Sequence, residues 1–238
     1  MALLELCRIS HHFSGVRALG GVDLAIEPGS VHGLIGPNGA GKTTIFNVIT
    51  GIVRADAGEV LFKGRPVGGL SSVARARLGI QRLFQTTQLF ATLTVDQHFQ
   101  LVGGHDRGWS QRLELNPWLG LRPPELSFGI ARQVELALVL SRPCDLLLLD
   151  EPAAGLTGEE RQRMASLLRT VRDSGTTIIL VEHDLDWTLK LVDRMTVLDR
   201  GRVIADGRPL AVAGDPAVRA AYLGEEPDGL KGLREESR

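Results

Sequence analysis

Cysteine, aromatic side chains and unbalanced charge are all scarce in this chain. Its two cysteines, Cys7 and Cys144, lie far apart and without metal-type spacing, which argues against a disulfide framework and for a reducing compartment. A formal net charge of −1 leaves no basic footprint, so no nucleic-acid partner is expected. No apolar run approaches the roughly 20 residues of a membrane helix. The opening Met1-Ala2-Leu3-Leu4-Glu5-Leu6 is too short and too soon charged for a signal peptide. A cytoplasmic chain is expected, meeting a membrane only through a partner. What the chain does have is 28 glycines and a 43% apolar fraction over 238 residues, ordinary for an α/β enzyme with a substantial core.

The glycines concentrate meaning at Gly36-Pro37-Asn38-Gly39-Ala40-Gly41-Lys42-Thr43-Thr44. The stretch follows the apolar run Val31-His32-Gly33-Leu34-Ile35 and runs into Ile45-Phe46-Asn47-Val48-Ile49, so it reads strand, loop, helix. It fits G-x-x-x-x-G-K-[ST], the phosphate-binding loop of P-loop NTPases. Glycines let the backbone turn tightly and aim N–H groups at phosphate oxygens, and the helix start adds its dipole. Lys42 is expected to reach the β- and γ-phosphates and Thr43 to hold Mg²⁺.

Alternation at Leu4 to Ser10 and Gly21 to Ile26 predicts half-buried strands. Further strands are expected at Glu59 to Phe62, Gly79 to Phe84, Asp145 to Leu149, Thr177 to Val181, Met195 to Leu198 and Val203 to Ala205. Helices are expected at Ser71 to Leu78, Thr94 to Leu101, Ser127 to Leu140, Gly158 to Ser174 and Asp184 to Val192, with Thr94 and Ser127 as caps. Gly103 to Gly108 reads as a loop, and Lys63-Gly64-Arg65-Pro66 closes a hairpin. Strand–helix alternation predicts a mainly parallel sheet covered on both faces. The all-α interval 88–140 reads as an insertion into a core made of 1–87 and 141–224, and 225–238 as a polar, mobile tail.

Four leucines ending in Asp150-Glu151 place two carboxylates at the end of a buried strand. Asp150 is expected to bind Mg²⁺, and Glu151 to orient and activate the attacking water. His183 follows the strand Ile178-Ile179-Leu180-Val181, where it could bond the γ-phosphate. Gln85, at the junction of core and helical insertion, could touch both Mg²⁺ and water. A lone histidine is ordinarily structural, and His11, His12, His32, His98 and His105 are read so.

In that order, the phosphate loop, Gln85, Leu126-Ser127-Phe128-Gly129, Asp150-Glu151 and His183 resemble the ATP-binding-cassette ATPases, over Leu3 to Leu223. The stretches Phe13 to Leu19, Gly36 to Gly51, Glu151-Pro152-Ala153-Ala154-Gly155-Leu156, Val181-Glu182-His183-Asp184 and Ala220-Ala221-Tyr222-Leu223-Gly224 are similar to ATPase subunits of branched-chain amino acid and urea/amide importers. The resemblance implies an α/β fold: a RecA-like P-loop core, an N-terminal antiparallel β subdomain and a short inserted helical subdomain. It also implies ATP and Mg²⁺ as cofactors, with two ATPs sandwiched in a head-to-tail pair. Each nucleotide would lie on one chain's loop (Gly36, Pro37, Asn38, Gly39, Ala40, Gly41, Lys42, Thr43, Thr44) and face the other chain's Ser127 and Gly129. Phe13 would stack on adenine. The implied partners are a second ATPase chain, two transmembrane permeases and, indirectly, a solute-binding protein, placing the chain peripherally on the cytoplasmic face of a bacterial-type membrane.

Three departures from the family pattern stand out. Ile130 replaces the signature glutamine and Gln133 its basic residue, which implies weakened ribose contact. Thr157 stands where Asp or Asn is usual, and the Gln85–Ser127 interval is short. The altered signature points to a heterodimer with unequal sites. A cassette that binds ATP with little or no turnover, and a cassette that serves no transporter, are the competing readings.

Overall fold

The structure, a computed structural model, describes residues 1–86, 88–103 and 108–222. The expected tail at 225–238, Leu223-Gly224 and His105 lie outside them.

Strands β1 (Leu4–Phe13) and β2 (Val16–Ile26) form a hairpin. Its two turn residues, Ser14 (φ 46) and Gly15 (φ 86), are both left-handed, the turn whose twist matches paired strands. Strand β3 (Val31–Ile35) leads through the glycine loop into helix α1 (Lys42–Thr50). Strands β4 (Ala57–Phe62) and β5 (Arg65–Pro66) close the expected second hairpin through Lys63 and Gly64, again with positive φ. An antiparallel sheet of order β2-β1-β4-β5 results.

The chain continues through α2 (Ser72–Arg77), β6 (Ile80–Leu83), α3 (Val95–Leu101), α4 (Gly108–Arg112), α5 (Phe128–Leu140) and β7 (Leu146–Asp150). It ends with α6 (Gly158–Asp173), β8 (Thr177–Val181), α7 (Leu185–Leu189), β9 (Arg194–Asp199), β10 (Arg202–Gly207), α8 (Pro209–Gly214) and α9 (Pro216–Tyr222). The second sheet runs β10-β9-β3-β8-β7-β6, parallel throughout except for the β9–β10 pair. This is the expected α/β architecture.

Strand β7 shows why both faces must be covered. Leu147 and Leu149 enter one core cluster, with Val134, Met164 and Leu168 from α5 and α6. Leu146 and Leu148 enter the other, with Ile45, Phe46 and Ile49 of α1 and with the antiparallel sheet. Alternate residues thus serve opposite faces, and a strand buried on both reads as an unbroken apolar run. All four leucines are fully buried, each contributing about 1.5–3 kcal/mol.

Register then sets the functional edge. Leu83 lies beside Leu149, Leu149 beside Leu180 and Gly33 beside Leu180. Four parallel strands therefore end together, releasing Gly36, Gln85, Asp150-Glu151 and Glu182-His183 at the carboxyl edge, where open α/β sheets bind ligands. On the same strand as the loop, His32 is buried and bonded to the Thr196 hydroxyl (2.8 Å), which donates to Asp206 (2.8 Å). Burial lowers the His32 pKa to about 4, so the imidazole is neutral at pH 7 and locks β3 to the β9–β10 hairpin.

Several expectations need correction. The helix expected over Asp184 to Val192 spans only Leu185–Leu189, because Asp193 pairs with Val31 (two 2.8 Å bonds) and pulls the chain in to start β9. Gly108 opens α4 rather than closing a loop. Helices α8 and α9 lie where the sequence pattern was assigned no element. The last two strands, expected without a stated pairing, form an antiparallel hairpin across Arg200 (φ 44) and Gly201 (φ 75), which a mainly parallel sheet allows.

Candidate nucleotide site

The phosphate loop is shaped by contacts that exclude side chains. A Cβ at Gly36 would stand 2.2 Å from the Leu198 carbonyl oxygen, and one at Gly41 2.9 Å from that of Ala18. Gly39 (φ 78) and Gly41 (φ 108) are left-handed, a conformation glycine adopts without steric cost. The Lys42 ammonium is buried and donates to the carbonyls of Gly36 (2.6 Å) and Pro37 (3.0 Å). Lysine thus braces its own loop. Thr43 is exposed and Thr44 half-buried in the first turn of α1, while Asn38 and Gly39 lie open at the surface and Ala40 packs inward.

Across the edge, Asp150 is held by Arg82. The guanidinium donates to Asp150 Oδ2 (2.8 Å) and to Asn47 Oδ1 of α1 (2.7 Å), and lies against the rings of Phe46 and Phe84. One residue on, Glu151 takes the left-handed conformation (φ 48), a strained state for a non-glycine residue and one that clusters at functional sites. Its carboxylate is engaged at both oxygens. Gln85 Nε2 donates to Oε2 (2.8 Å), and His183 Nε2 lies 2.7 Å from Oε1. Three residues singled out from separate parts of the sequence meet at one carboxylate.

Glu182 supports that group and was not assigned a role from sequence. It is buried and accepts from the amides of Ala153 (2.9 Å) and His183 (3.3 Å). Burial raises its pKa, opposed by those two bonds, with the Glu151 charge adding to the rise. Arg82 too escaped notice, as its partners are distant in sequence.

Ser127 caps α5, accepting from the Ile130 amide (3.3 Å). Gly129 is buried and faces Glu160 of α6, while the Phe128 ring packs on Gly155, in the turn after Glu151. Helix α5 also holds the segment around Gln85. Arg132 donates to the Phe84 carbonyl (2.6 Å) and pairs with Glu135 (3.0 Å), which accepts from the Gln88 amide. Gln133 is buried within α5. Thr157 caps α6 in a capping box with Glu160, the cap that Asp or Asn would equally make. Phe13 sits at the β1–β2 hairpin tip, 46% exposed, with His11 edge-on at 4.4 Å.

The other described histidines have local partners. His98 links the Phe90 amide to the Thr94 carbonyl, and His12 lies 3.0 Å from Asp56. His11 is buried, 3.3 Å from the same carboxylate without hydrogen-bond geometry. Among the described residues no cluster of three or more His, Cys, Asp or Glu is arranged to hold a metal by itself. The exposed Thr43 and the one oxygen of Asp150 left free by Arg82 are hard oxygen donors, and few of them. They suit a Mg²⁺ that is held partly by nucleotide phosphates.

A glycine cradle at the end of a central parallel strand, two carboxylates at the end of β7, two strands away, and a capped helix start bearing Gly129 define a class. The ABC transporter family model matches residues 19–154, and a branched-chain amino acid ATP-binding cassette transporter model matches residues 202–228. The chain belongs to the ATP-binding subunits of ABC transporters and is an ATPase of that class. The high-affinity branched-chain amino acid transport ATP-binding protein LivG of Escherichia coli K12 is 34% identical over 94% of this chain and 98% of its own length. A ribose import ATP-binding protein of Rubrobacter xylanophilus is 38% identical over 91% of this chain, matching 46% of that longer protein. The crystal structure of the ADP conformation of MJ1267, an ATP-binding cassette of an ABC transporter, superposes with a TM-score of 0.88 at 29% identity, covering 94% of this chain and all of the other. No described helix is long and apolar enough to cross a membrane.

Proposed function

We propose that this chain hydrolyses ATP to drive import of branched-chain amino acids or similar small polar solutes, as one of two ATPase chains beneath two permease subunits. The observation that carries the catalytic part is the engagement of Glu151 by Gln85 and His183 at the edge where the phosphate loop begins. The carboxylate is thereby oriented, and as a general base it would take a proton from the attacking water. Lys42 would exchange its two loop carbonyls for β- and γ-phosphate oxygens, with the loop amides and the α1 dipole completing the cradle. Thr43, Asp150 and Gln85 would hold Mg²⁺, which neutralises phosphate charge. Phe13, exposed at its hairpin tip, would stack on adenine. His183 would touch the γ-phosphate and report its loss through Glu151.

Cargo identity rests on likeness to LivG and on the C-terminal family match. The comparable identity to a ribose import protein agrees with selection of cargo by the permeases and a solute-binding protein. Residues 88–140 act as the inserted helical subdomain that meets the permeases. The altered signature at Ile130 favours a second, related ATPase chain as partner over a copy of this one. Proteins copurifying from detergent-solubilised membranes would identify both.

Glu151→Gln tests the core of this reading. Turnover should fall by about 100-fold or more, with ATP affinity kept within about twofold because no cradle residue changes. Substantial remaining activity would remove Glu151 as the base. A wild-type protein that binds ATP without Mg²⁺-dependent turnover would instead favour a regulatory cassette.

A further inference from the structure

Glu160 is an ordinary capping-box residue by sequence, yet one of its oxygens faces away from the cap. Oε2 accepts from the Thr157 amide (3.0 Å) and hydroxyl (3.1 Å). Oε1 stands where a side chain on Gly129 would be, 2.4 Å from the ideal Cβ position. The Thr157 amide first, and after it the Thr157 hydroxyl, the Gly129 amide and the Ser127 hydroxyl, hold this carboxyl below the usual carboxylate range. By the family resemblance, Ser127 and Gly129 face the nucleotide on the partner chain, and we take them as donors to its γ-phosphate. In this chain a carboxylate oxygen already lies against Gly129.

We infer that Glu160 is a built-in stand-in for phosphate, its carboxylate lying over Gly129 in the open subunit and stepping aside when the partner's ATP arrives. The inference rests on the proposed role of Ser127 and Gly129. A carboxylate and a phosphate oxygen cannot both lie against Gly129, and like charges brought together repel. Closure must therefore move Glu160 or accept its repulsion. The same carboxylate caps the turn after Glu151, so the displacement would be felt at Thr157, between the water-activating residue and α6. Neither Ile130 nor buried Gln133 offers a cation to offset the charge. The unliganded state is thus favoured until the γ-phosphate, carrying more charge and more oxygens, wins the donors.

The test measures ATP-driven association in a Glu151→Gln background, by sedimentation, for this chain with itself and with the ATPase subunit that copurifies with it. Glu160→Gln keeps an acceptor for the cap and removes the charge. It should lower the ATP concentration needed for association about tenfold, with an unchanged melting temperature. Glu159→Gln, one residue away on the same turn and exposed, should change it by less than twofold. Equal tightening by both variants, or none by Glu160→Gln, overturns the inference. Ser127→Arg, at an exposed position, separates the two readings. If it blocks association while Glu160→Gln has no effect, only the stand-in fails. If neither variant alters ATP-driven association, or none occurs in either pairing, the role of Ser127 and Gly129 fails with it.

Discussion

The phosphate loop and the segment Ser127–Gly129 are both glycine-bearing helix starts proposed to meet the same phosphate chain, and they are built on opposite terms. The loop is rigid by exclusion. Backbone carbonyls of Leu198 and Ala18 press on Gly36 and Gly41, and Lys42 is tied to its own loop. The segment is yielding, since what presses on Gly129 is the end of a long side chain, Glu160. A site that binds nucleotide within one chain gains from being preorganised. A site that waits for another chain's nucleotide gains from being closed until it arrives.

The largest effect expected on this contrast comes from Lys42→Ala. It removes the cationic partner for the phosphates and two hydrogen bonds within the loop. ATP affinity should fall by about 100-fold or more, measured by titration calorimetry, with any loss shared by ADP. Undiminished affinity would sink the assignment of the loop. Ser127 variants should leave nucleotide affinity of the isolated chain unchanged, because that segment serves the partner's nucleotide.

Gly36→Ala comes next and acts on the fold. The added methyl would meet the Leu198 carbonyl oxygen at 2.2 Å, and neither neighbour is free to move, because Gly36 continues β3 and Leu198 belongs to β9 beside it. A loss of about 3 kcal/mol is expected, seen as a fall in Tm of roughly 6–12 °C. A shift below about 2 °C would mean that the loop is as yielding as the signature segment.

Reading the chain alone reached the loop and missed the yielding part for a definable reason. Strand, glycines, lysine and helix are local, so Gly36–Thr44 was legible residue by residue. So was β7, because burial on both faces leaves an unbroken leucine run ending at Asp150-Glu151. Gln85 and His183 were found by position at strand ends, and the parallel register brings both to Glu151. Arg82, Glu160, Arg132 and Glu135 were silent, since each acts through a partner that only tertiary packing supplies. Glu160 closes a capping box with Thr157, and nothing in Thr157-x-x-Glu160 says that the second oxygen faces another helix. The β9–β10 hairpin turns at Arg200-Gly201, a local signal to which the sequence reading gave no orientation.

Gly129→Ala should produce the smallest effect and sharpens the comparison most. The position is helical and has no left-handed φ, so alanine gains about 0.5–1 kcal/mol of helix propensity over glycine. Against this stands the approach of Glu160 Oε1 at 2.4 Å and its Cδ at 2.7 Å to the added methyl, atoms of one flexible side chain that can rotate out to solvent. The two terms nearly cancel, and thermal melting should place the variant within about 1 kcal/mol of wild type. Gly36→Ala carries an equally close contact, so contact distance cannot separate the two; what separates them is whether the neighbour is backbone or a side-chain end. A loss at Gly129 as large as that at Gly36 would show Glu160 to be fixed in place. A fixed carboxylate could not yield to an incoming phosphate, and the signature segment would then be as rigid as the loop it is paired with.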